Sequence, residues 1–287
     1  MDFLTSFRFD AGFDRSIDRG LDWLNDNLGF VFAAIRALLD NLLWVLTWGL
    51  SIPWWLFIIL AVVASWRLVG VGLSVFAAVA LTMCWSAGLW DMLIQTLALV
   101  ILATLIALMF GIPLGILGAR QPGIGKLLGP IMDTLQTLPP YVYLLPAIAL
   151  IGFGGASAVV ATMILALPPS VRLTMLGLRQ IPGERIELAQ SLGASSMARL
   201  FRIELPSAMP SIMAGVNQSL MMALGMAVIA GIIGADGLGG EVYRAVRYLE
   251  VGRAIDAGLA IVVLSILLDR LSAGIGTLFM KNGGAHG

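Results

Sequence analysis

Histidine and cysteine are almost absent from this sequence, which has one residue of each among 287. Cys84 lies in an apolar run and His286 lies close to the last residue, so the two are not a plausible zinc site. A single cysteine also excludes an internal disulfide framework. We therefore expect no catalytic residue, no metal site and no cofactor-binding site in this chain.

Charge is equally scarce. Charged residues make up 12% of the chain and the net charge is zero, whereas a soluble domain carries about 25% charged residues. The zero balance gives no indication of nucleic-acid binding. With 59% hydrophobic residues and a mean hydropathy of +0.96, the sequence indicates an integral membrane protein. The first residues lack the basic start and apolar region of a cleaved signal peptide, so we expect none.

Residues 1–52 are predicted to form an N-terminal amphipathic or interfacial segment. Six aspartates alternate with apolar residues at helical intervals among the first 27 residues, which predicts an amphipathic helix. Residues 28–50 are more apolar, but they hold Arg36 and Asp40, which are four positions apart and can pair on a helix. We favour a helix that lies at the membrane interface, with its tryptophans at headgroup level. A spanning helix with a buried ion pair is the alternative.

Apolar stretches suited to crossing a bilayer follow this segment. Two additional transmembrane helices are predicted in residues 53–90, five more in a core that extends over 91–278, and a short cytoplasmic tail in 279–287. Residues 134–171 carry no charge and must hold two spans. Prolines interrupt both spans, and broken helices at membrane depth indicate a transport pathway. These prolines are Pro139, Pro140, Pro146, Pro168 and Pro169.

A polar island at residues 179–206 separates the apolar stretches. It carries four arginines and three glutamates, which cannot enter hydrocarbon without a large energetic cost, so we expect the segment to protrude into water. Pro182 begins a turn, and Gly193 is suited to end a helix. Small side chains keep one surface low enough for close approach by another protein. We therefore predict a short cytoplasmic helix offered to a partner.

The spacing within this island resembles the EAA loop of ABC-importer permeases, which reads E-A-A, three residues, G, nine residues, I, one residue, L-P. The sequence departs from that pattern once, at Leu188. The resemblance implies that the helix docks in a groove of a separate ATPase subunit and carries its motion into the membrane. The coupling residues that it implies are Glu187, Ala189, Gly193, Ala194, Ile203, Leu205 and Pro206.

A resemblance over a longer stretch of the chain indicates which group of ABC importers is meant. Strings such as IMDTLQTLPPYVYLLP and AMPSIMAGVNQSLMMALGM are similar to permeases of the glycine betaine/proline betaine (osmoprotectant) and choline importers, from about residue 96 to 275. The resemblance implies an all-α, type I (MetI-like) ABC permease in the bacterial plasma membrane. It also implies a second copy of the chain, two copies of an ATPase subunit that binds ATP and magnesium, a separate solute-binding protein, and membrane lipid around the assembly.

The transport pathway is predicted from aromatic and amide side chains. Tyr141 and Tyr143 lie beside the first proline break and suit a quaternary ammonium, which proteins hold over aromatic faces; they also suit an interfacial belt. Asn217 and Gln218 lie in an apolar span, where an unpaired amide costs about 1–3 kcal/mol. They should face the bundle interior, as helix-to-helix contacts or as pathway lining. Met222 joins the predicted pathway, although core packing explains the neighbouring methionines most simply.

Three points remain open in the sequence. The glycines at 237, 239 and 240 are interpreted as a flexible external turn rather than a phosphate cradle. If the polar island is cytoplasmic, seven spans place the N-terminus outside. If residues 28–50 also span the membrane, the N-terminus lies inside. The alternatives to a betaine or choline permease are an importer of methionine, a sulfonate or a phosphonate, and a channel that works without an ATPase.

Overall fold

The computed structural model describes residues 10–283, with side chains from 15 to 278, and helices make up nearly all of that part of the chain. Residues 1–9 and 284–287 lie outside the described residues, and these include His286 and the last four residues of the predicted tail. The helices are α1 Asp10–Leu50, α2 Trp54–Leu68, α3 Val71–Ser86, α4 Trp90–Arg120, α5 Pro122–Thr137, α6 Tyr141–Ile151, α7 Gly155–Arg179, α8 Gly183–Ser191, α9 Ser196–Arg199, α10 Leu205–Ile229, α11 Leu238–Arg247 and α12 Val251–Gly283.

Among the described residues, five helices are long and apolar enough to cross a membrane, namely α1, α4, α7, the helix that includes α10, and α12. The pair α5 and α6 forms a sixth candidate span, bent by 97° at its break. The apolar helices α2 and α3 are shorter, with 15 and 16 residues. This arrangement suits a multi-pass membrane protein.

Helices α4, α7 and α10 form the centre of the core. Their contacts are close because small residues face each other: a Cβ added to Gly115 would lie 2.7 Å from the carbonyl oxygen of Val171. A Cβ added to Gly177 would lie 2.7 Å from the Cβ of Ser211. Contacts of this kind let helices associate in lipid, where burial of apolar surface contributes little.

The prolines have different effects in the two spans. Pro139 and Pro140 separate α5 from α6, as predicted, but α7 continues as one helix through Pro168 and Pro169, so the second predicted break is wrong. Packing accounts for the difference, because α4 and α10 hold α7 from two sides. The Ser219 hydroxyl of α10 also donates to the Ala166 carbonyl, 2.7 Å away, beside the prolines that remove backbone donors.

Helix α1 is continuous over 41 residues and packs along α4, α6 and α7. Phe32 and Met163 line the same apolar cavity of about 570 Å³, and Leu43 contacts Gly155 at the start of α7. Thus α1 runs antiparallel to α7. A helix in the plane of the interface would touch only the ends of the core helices, so this packing favours the spanning alternative over the interfacial placement that we favoured from the sequence.

The pair Arg36 and Asp40 has a role that the sequence did not reveal. The two side chains lie 3.6 Å apart and are about half exposed. Arg36 donates to the carbonyl of Ile151 at 3.3 Å, and Asp40 accepts from the backbone N–H of Ala156 at 3.2 Å. The pair therefore fixes α1 to the turn between α6 and α7, at the end of the core opposite the polar island.

Candidate coupling surface and transport pathway

The polar island begins with α8, whose end is set by Gly193. This glycine has φ +76°, in the left-handed region that favours glycine. The N–H of Ala194 donates to the Ala189 carbonyl at 3.0 Å, and the N–H of Gly193 donates to the Gln190 carbonyl at 2.9 Å. These two bonds form a Schellman cap, which ends the helix where the sequence predicted.

Two predicted coupling residues of α8 lie on opposite faces. Glu187 is exposed, whereas Ala189 is 3% exposed. The coupling role of both residues stays a prediction. Leu188, the one departure from the EAA pattern, is 62% exposed.

Large apolar side chains project from this segment into the surroundings. They are Leu188, Leu192, Met197 and Phe201, each more than 60% exposed, and we refer to them as the coupling patch. An exposed apolar patch rimmed by charged residues marks an interaction site. Sequence reasoning missed the patch because it assigned the contact surface to small side chains. The available signal was four large apolar residues spaced four or five positions apart.

A buried carboxylate anchors the segment to the core. Glu204 is 6% exposed and contacts Arg120 of α4 at 2.9 Å and Arg199 at 2.6 Å. Arg120 also donates to the Ser196 carbonyl at 3.2 Å. The expectation that the whole island protrudes into water is wrong for Glu204, because two arginines supply the partners that a buried charge requires.

The segment reaches α10 through an unusual turn. Residues Leu200–Glu204 form a short π-helix, a form that occurs mostly as a single turn and often at functional sites. Of the predicted coupling residues that follow or lie within it, Ile203 and Leu205 are partly buried and Pro206 is exposed. Leu205 packs with Ile186 of α8 against a small apolar cluster that includes Ile212. The coupling segment is therefore attached to the core by apolar as well as ionic contacts.

The predicted pathway residues do not form one site. Tyr141 is exposed, while Tyr143 is buried and its hydroxyl donates to the Leu135 carbonyl. Tyr143 lines the apolar cavity beside α1, and its role in the pathway stays a prediction. The two tyrosines are two positions apart on α6 and so face different directions.

The sequence left two roles open for the amides Asn217 and Gln218, namely helix-to-helix contacts and pathway lining. The structure places the two side chains differently. Asn217 donates to Asp269 at 2.8 Å and accepts from the Ser272 hydroxyl, so it joins α10 to α12. Gln218 is exposed and faces an open cavity. Met222 is partly buried. Of these three residues, only Gln218 is exposed and lines this cavity.

The cavity at Gln218 lies between α5, α7 and α10 and has a volume of about 390 Å³; we refer to it as the polar cleft. Arg172 contacts Asp133 and donates to the side-chain oxygen of Gln136 at 2.8 Å. The residues that line the polar cleft are Gln136, Pro169, Arg172, Leu173, Met175, Leu176, Arg179 and Gln218.

The glycines at 237, 239 and 240 are tightly packed rather than a flexible turn. Gly237 has φ +119°, and a Cβ on Gly239 would lie 2.6 Å from the Ala227 carbonyl oxygen. The N–H of Leu238 donates to the hydroxyl of Thr96 at 2.8 Å. This predicted flexibility is therefore wrong, since only glycine permits such a close approach of α11 to the end of α10.

A second buried carboxylate lies on α11. Glu241 is 4% exposed and contacts Arg244 at 2.7 Å and Arg253 at 2.5 Å. Arg253 also donates to the Ala87 carbonyl at 2.8 Å. The hydrogen bond from Arg244 lowers the pKa of Glu241 most, burial opposes this, and Arg253 lowers the pKa further. The cluster holds α11, α12 and the α3–α4 turn together.

Comparison with known proteins agrees with this architecture. Residues 111–277 match the family described as binding-protein-dependent transport system inner membrane component. The chain is 42% identical over 266 residues to the glycine betaine/proline betaine transport system permease protein ProW of Escherichia coli (strain K12), covering 92% of this chain and 75% of that protein. It is 40% identical over 260 residues to the glycine betaine transport system permease protein OpuAB of Bacillus subtilis (strain 168), covering 90% and 92%.

A solved structure supports the fold independently. The inward-facing MetNI methionine ABC transporter matches with a TM-score of 0.61 at 22% identity, over 67% of this chain and 95% of that chain. At this identity the likeness establishes the fold alone. The predicted all-α, MetI-like core is confirmed.

Proposed function

Because the chain belongs to the family of binding-protein-dependent transport system inner membrane components, we propose that it is the permease subunit of an ABC importer for glycine betaine, proline betaine or choline. It is a multi-pass protein of the bacterial inner membrane. Two of its relatives are glycine betaine permeases by name, and this supports the choice of solute.

The coupling patch carries the proposal. Its four apolar side chains face away from the core, and the buried Glu204 ties their segment to α4. Such a surface suits a protein groove, because an apolar side chain contributes about 1.5–3 kcal/mol when it is fully buried. A separate ATPase subunit is the proposed occupant, with ATP and magnesium held by that partner. The permease chain itself is proposed to carry out no bond-making chemistry.

The proposed mechanism converts ATPase closure into a change of the membrane core. Two permease chains line one path, and each coupling segment sits on one of two ATPase subunits. Closure of the ATPases on ATP brings the coupling segments together, which favours the outward-open state of the path. A solute-binding protein then delivers its solute from the outside, and ATP hydrolysis restores the inward-open state.

Leu192→Asp tests the docking assignment. A buried, unpaired carboxylate at the patch should prevent association, so the variant should lose the ATPase during co-purification. Leu249→Asp is the matched control, since Leu249 is 83% exposed on the segment between α11 and α12. Normal co-purification of Leu192→Asp would refute the assignment of the patch.

Competition separates the proposed solute from the alternatives. Uptake of labelled glycine betaine by cells that carry the complete importer should fall when unlabelled betaines are added and should not fall with methionine, a sulfonate or a phosphonate. Inhibition by methionine instead would assign the chain to a different importer. Flux through vesicles without any ATPase would favour the channel.

A further inference from the structure

The polar cleft contains an ionisable side chain within a candidate span, because Arg172 belongs to α7. Arg172 lies seven residues before the end of α7, which is about 10 Å along the helix at 1.5 Å per residue. Arg172 and Asp133 are 41% and 55% exposed. Arg172 lines the cleft, and Asp133 contacts Arg172 from beside it. Charged residues within spans are rare, and they mark substrate and ion pathways.

The cleft offers the cation Arg172, and the anion Asp133 lies directly beside it. The guanidinium of Arg172 matches a carboxylate in a bidentate manner, and Asp133 provides the opposite charge for an ammonium group. Gln218 adds an amide on α10. Arg179 is already engaged, because it donates to the Gly118 carbonyl at 2.8 Å.

Apolar groups complete the cleft. Pro169, Leu173, Met175 and Leu176 line it beside the polar residues, and they suit the methyl groups of a quaternary ammonium. A volume of about 390 Å³ falls within the usual range for small-molecule sites, roughly 300–1,000 Å³.

We propose that Arg172 and Asp133, with Gln218, form a solute subsite that recognises a zwitterion carrying both a carboxylate and a quaternary ammonium. The inference rests on the proposed function and deepens it. When the zwitterion enters, its carboxylate takes the place of Asp133 at Arg172, and its ammonium takes the place of Arg172 at Asp133. The exchange leaves every charge paired, whereas a simple cation such as choline leaves Arg172 without a counter-charge.

Cysteine labelling tests the subsite directly. Because Cys84 is the single cysteine of the sequence, a Cys84→Ser, Leu176→Cys protein places one reactive thiol in the cleft. The complex with the ATPase, in nanodiscs, is treated with a hydrophilic maleimide. Glycine betaine should slow the reaction, and tetramethylammonium, which lacks the carboxylate, should not slow it at the same concentration.

Arg172→Gln should raise the glycine betaine concentration that gives half protection about tenfold or more, since a hydrogen bond to a charged group contributes that much to binding. Arg67→Gln is the matched control, because Arg67 is exposed at the end of α2. Arg172→Lys keeps the positive charge and should restore part of the protection. Equal protection in the Arg172→Gln and Arg67→Gln proteins would overturn the subsite.

Asp133→Asn separates recognition from a bracing role. This change breaks the same ion pair but leaves the guanidinium free for a carboxylate. A pair that only braces α5 against α7 predicts the same loss of protection in Asp133→Asn and Arg172→Gln, and that result would overturn the proposal. The subsite predicts that Asp133→Asn loses part of the protection, because the ammonium loses its counter-charge, but less than Arg172→Gln, because the guanidinium still binds the carboxylate.

Absence of protection in the Leu176→Cys protein would also overturn the subsite. It would not affect the proposed function, which ATP-driven uptake of glycine betaine by the unsubstituted importer tests separately. The two can therefore fail independently.

Discussion

The Nη2 atom of Arg120 lies 2.9 Å from Oε2 of Glu204, and this contact joins the end of α4 to the segment that leads into α10. Arg199 binds the other carboxylate oxygen at 2.6 Å. Glu204 is the buried member of the group, so it serves as the common anchor for both arginines. We therefore expect a displacement of the coupling patch to move α4 and α10 together.

Glu204→Gln should uncouple the patch from the core. The substitution keeps the shape of the side chain but removes the charge that two arginines share, so we expect stability to fall by roughly 1–3 kcal/mol. ATP-driven uptake should fall severalfold while the ATPase remains bound. Thermal unfolding and uptake by the reconstituted importer measure the two effects, with Glu184→Gln, an exposed position on α8, as the control. Unchanged uptake in Glu204→Gln would rule out the anchor.

Gly193→Ala should weaken the end of α8. An alanine at φ +76° costs about 1–2 kcal/mol, and the strain should loosen the Schellman cap next to Leu192. We expect weaker ATPase binding, measured by titration of the purified subunits. Gly183→Ala is the control, because a Cβ there meets nothing within 4 Å and the φ of Gly183 is not positive. Equal affinities for the two variants would show that the cap does not shape the docking surface.

The antiparallel packing of α1 against α7 predicts a cytoplasmic N-terminus. In that topology Arg15 and Arg19 lie on the same side as the basic residues of the polar island, a stronger bias than an external N-terminus gives. A cysteine at the exposed position Asp18, in a Cys84→Ser protein, should react with an impermeant maleimide in inside-out vesicles and remain unlabelled in intact spheroplasts. Labelling in spheroplasts would show that the N-terminus lies outside, and it would favour an interfacial helix over residues 28–50.

Glu241 lies on the opposite side of the protein from the coupling patch. Its environment predicts that the stability of the folded protein depends on pH. Its pKa is lowered in the folded state, so its contribution is complete above the unfolded carboxyl pKa of about 4.3 and disappears as pH falls through the lower folded value. Glu241→Gln should therefore destabilise the protein at pH 7, and the difference should shrink below about pH 4. Thermal unfolding at both pH values measures this. A difference that is constant with pH would show that the Arg244 and Arg253 contacts do not depend on the charge.

Sequence reasoning identified what depends on local pattern. The apolar stretches, the break at Pro139 and the cap at Gly193 all follow from residue types and spacing, and the structure contains each of them. The resemblance carried by Glu187 to Pro206 located the coupling segment. These features are encoded within a few turns of helix, where spacing and propensity determine the outcome.

Features that depend on distant partners could not be predicted in this way. The burial of Glu204 requires Arg120, which is 84 residues away, and the Arg36–Asp40 pair meets a turn that is more than 110 residues away. Tyr143 is buried because α1 packs against α6. In each case the residue type allowed two placements, and tertiary contacts selected one.

Uptake of labelled glycine betaine by proteoliposomes tests the central claim most directly. The vesicles contain this chain with its ATPase, and they receive the solute-binding protein outside and ATP inside. The account predicts accumulation that requires both the ATPase and ATP and that is lost in Leu192→Asp. Accumulation without the ATPase, or full accumulation by Leu192→Asp, would contradict it.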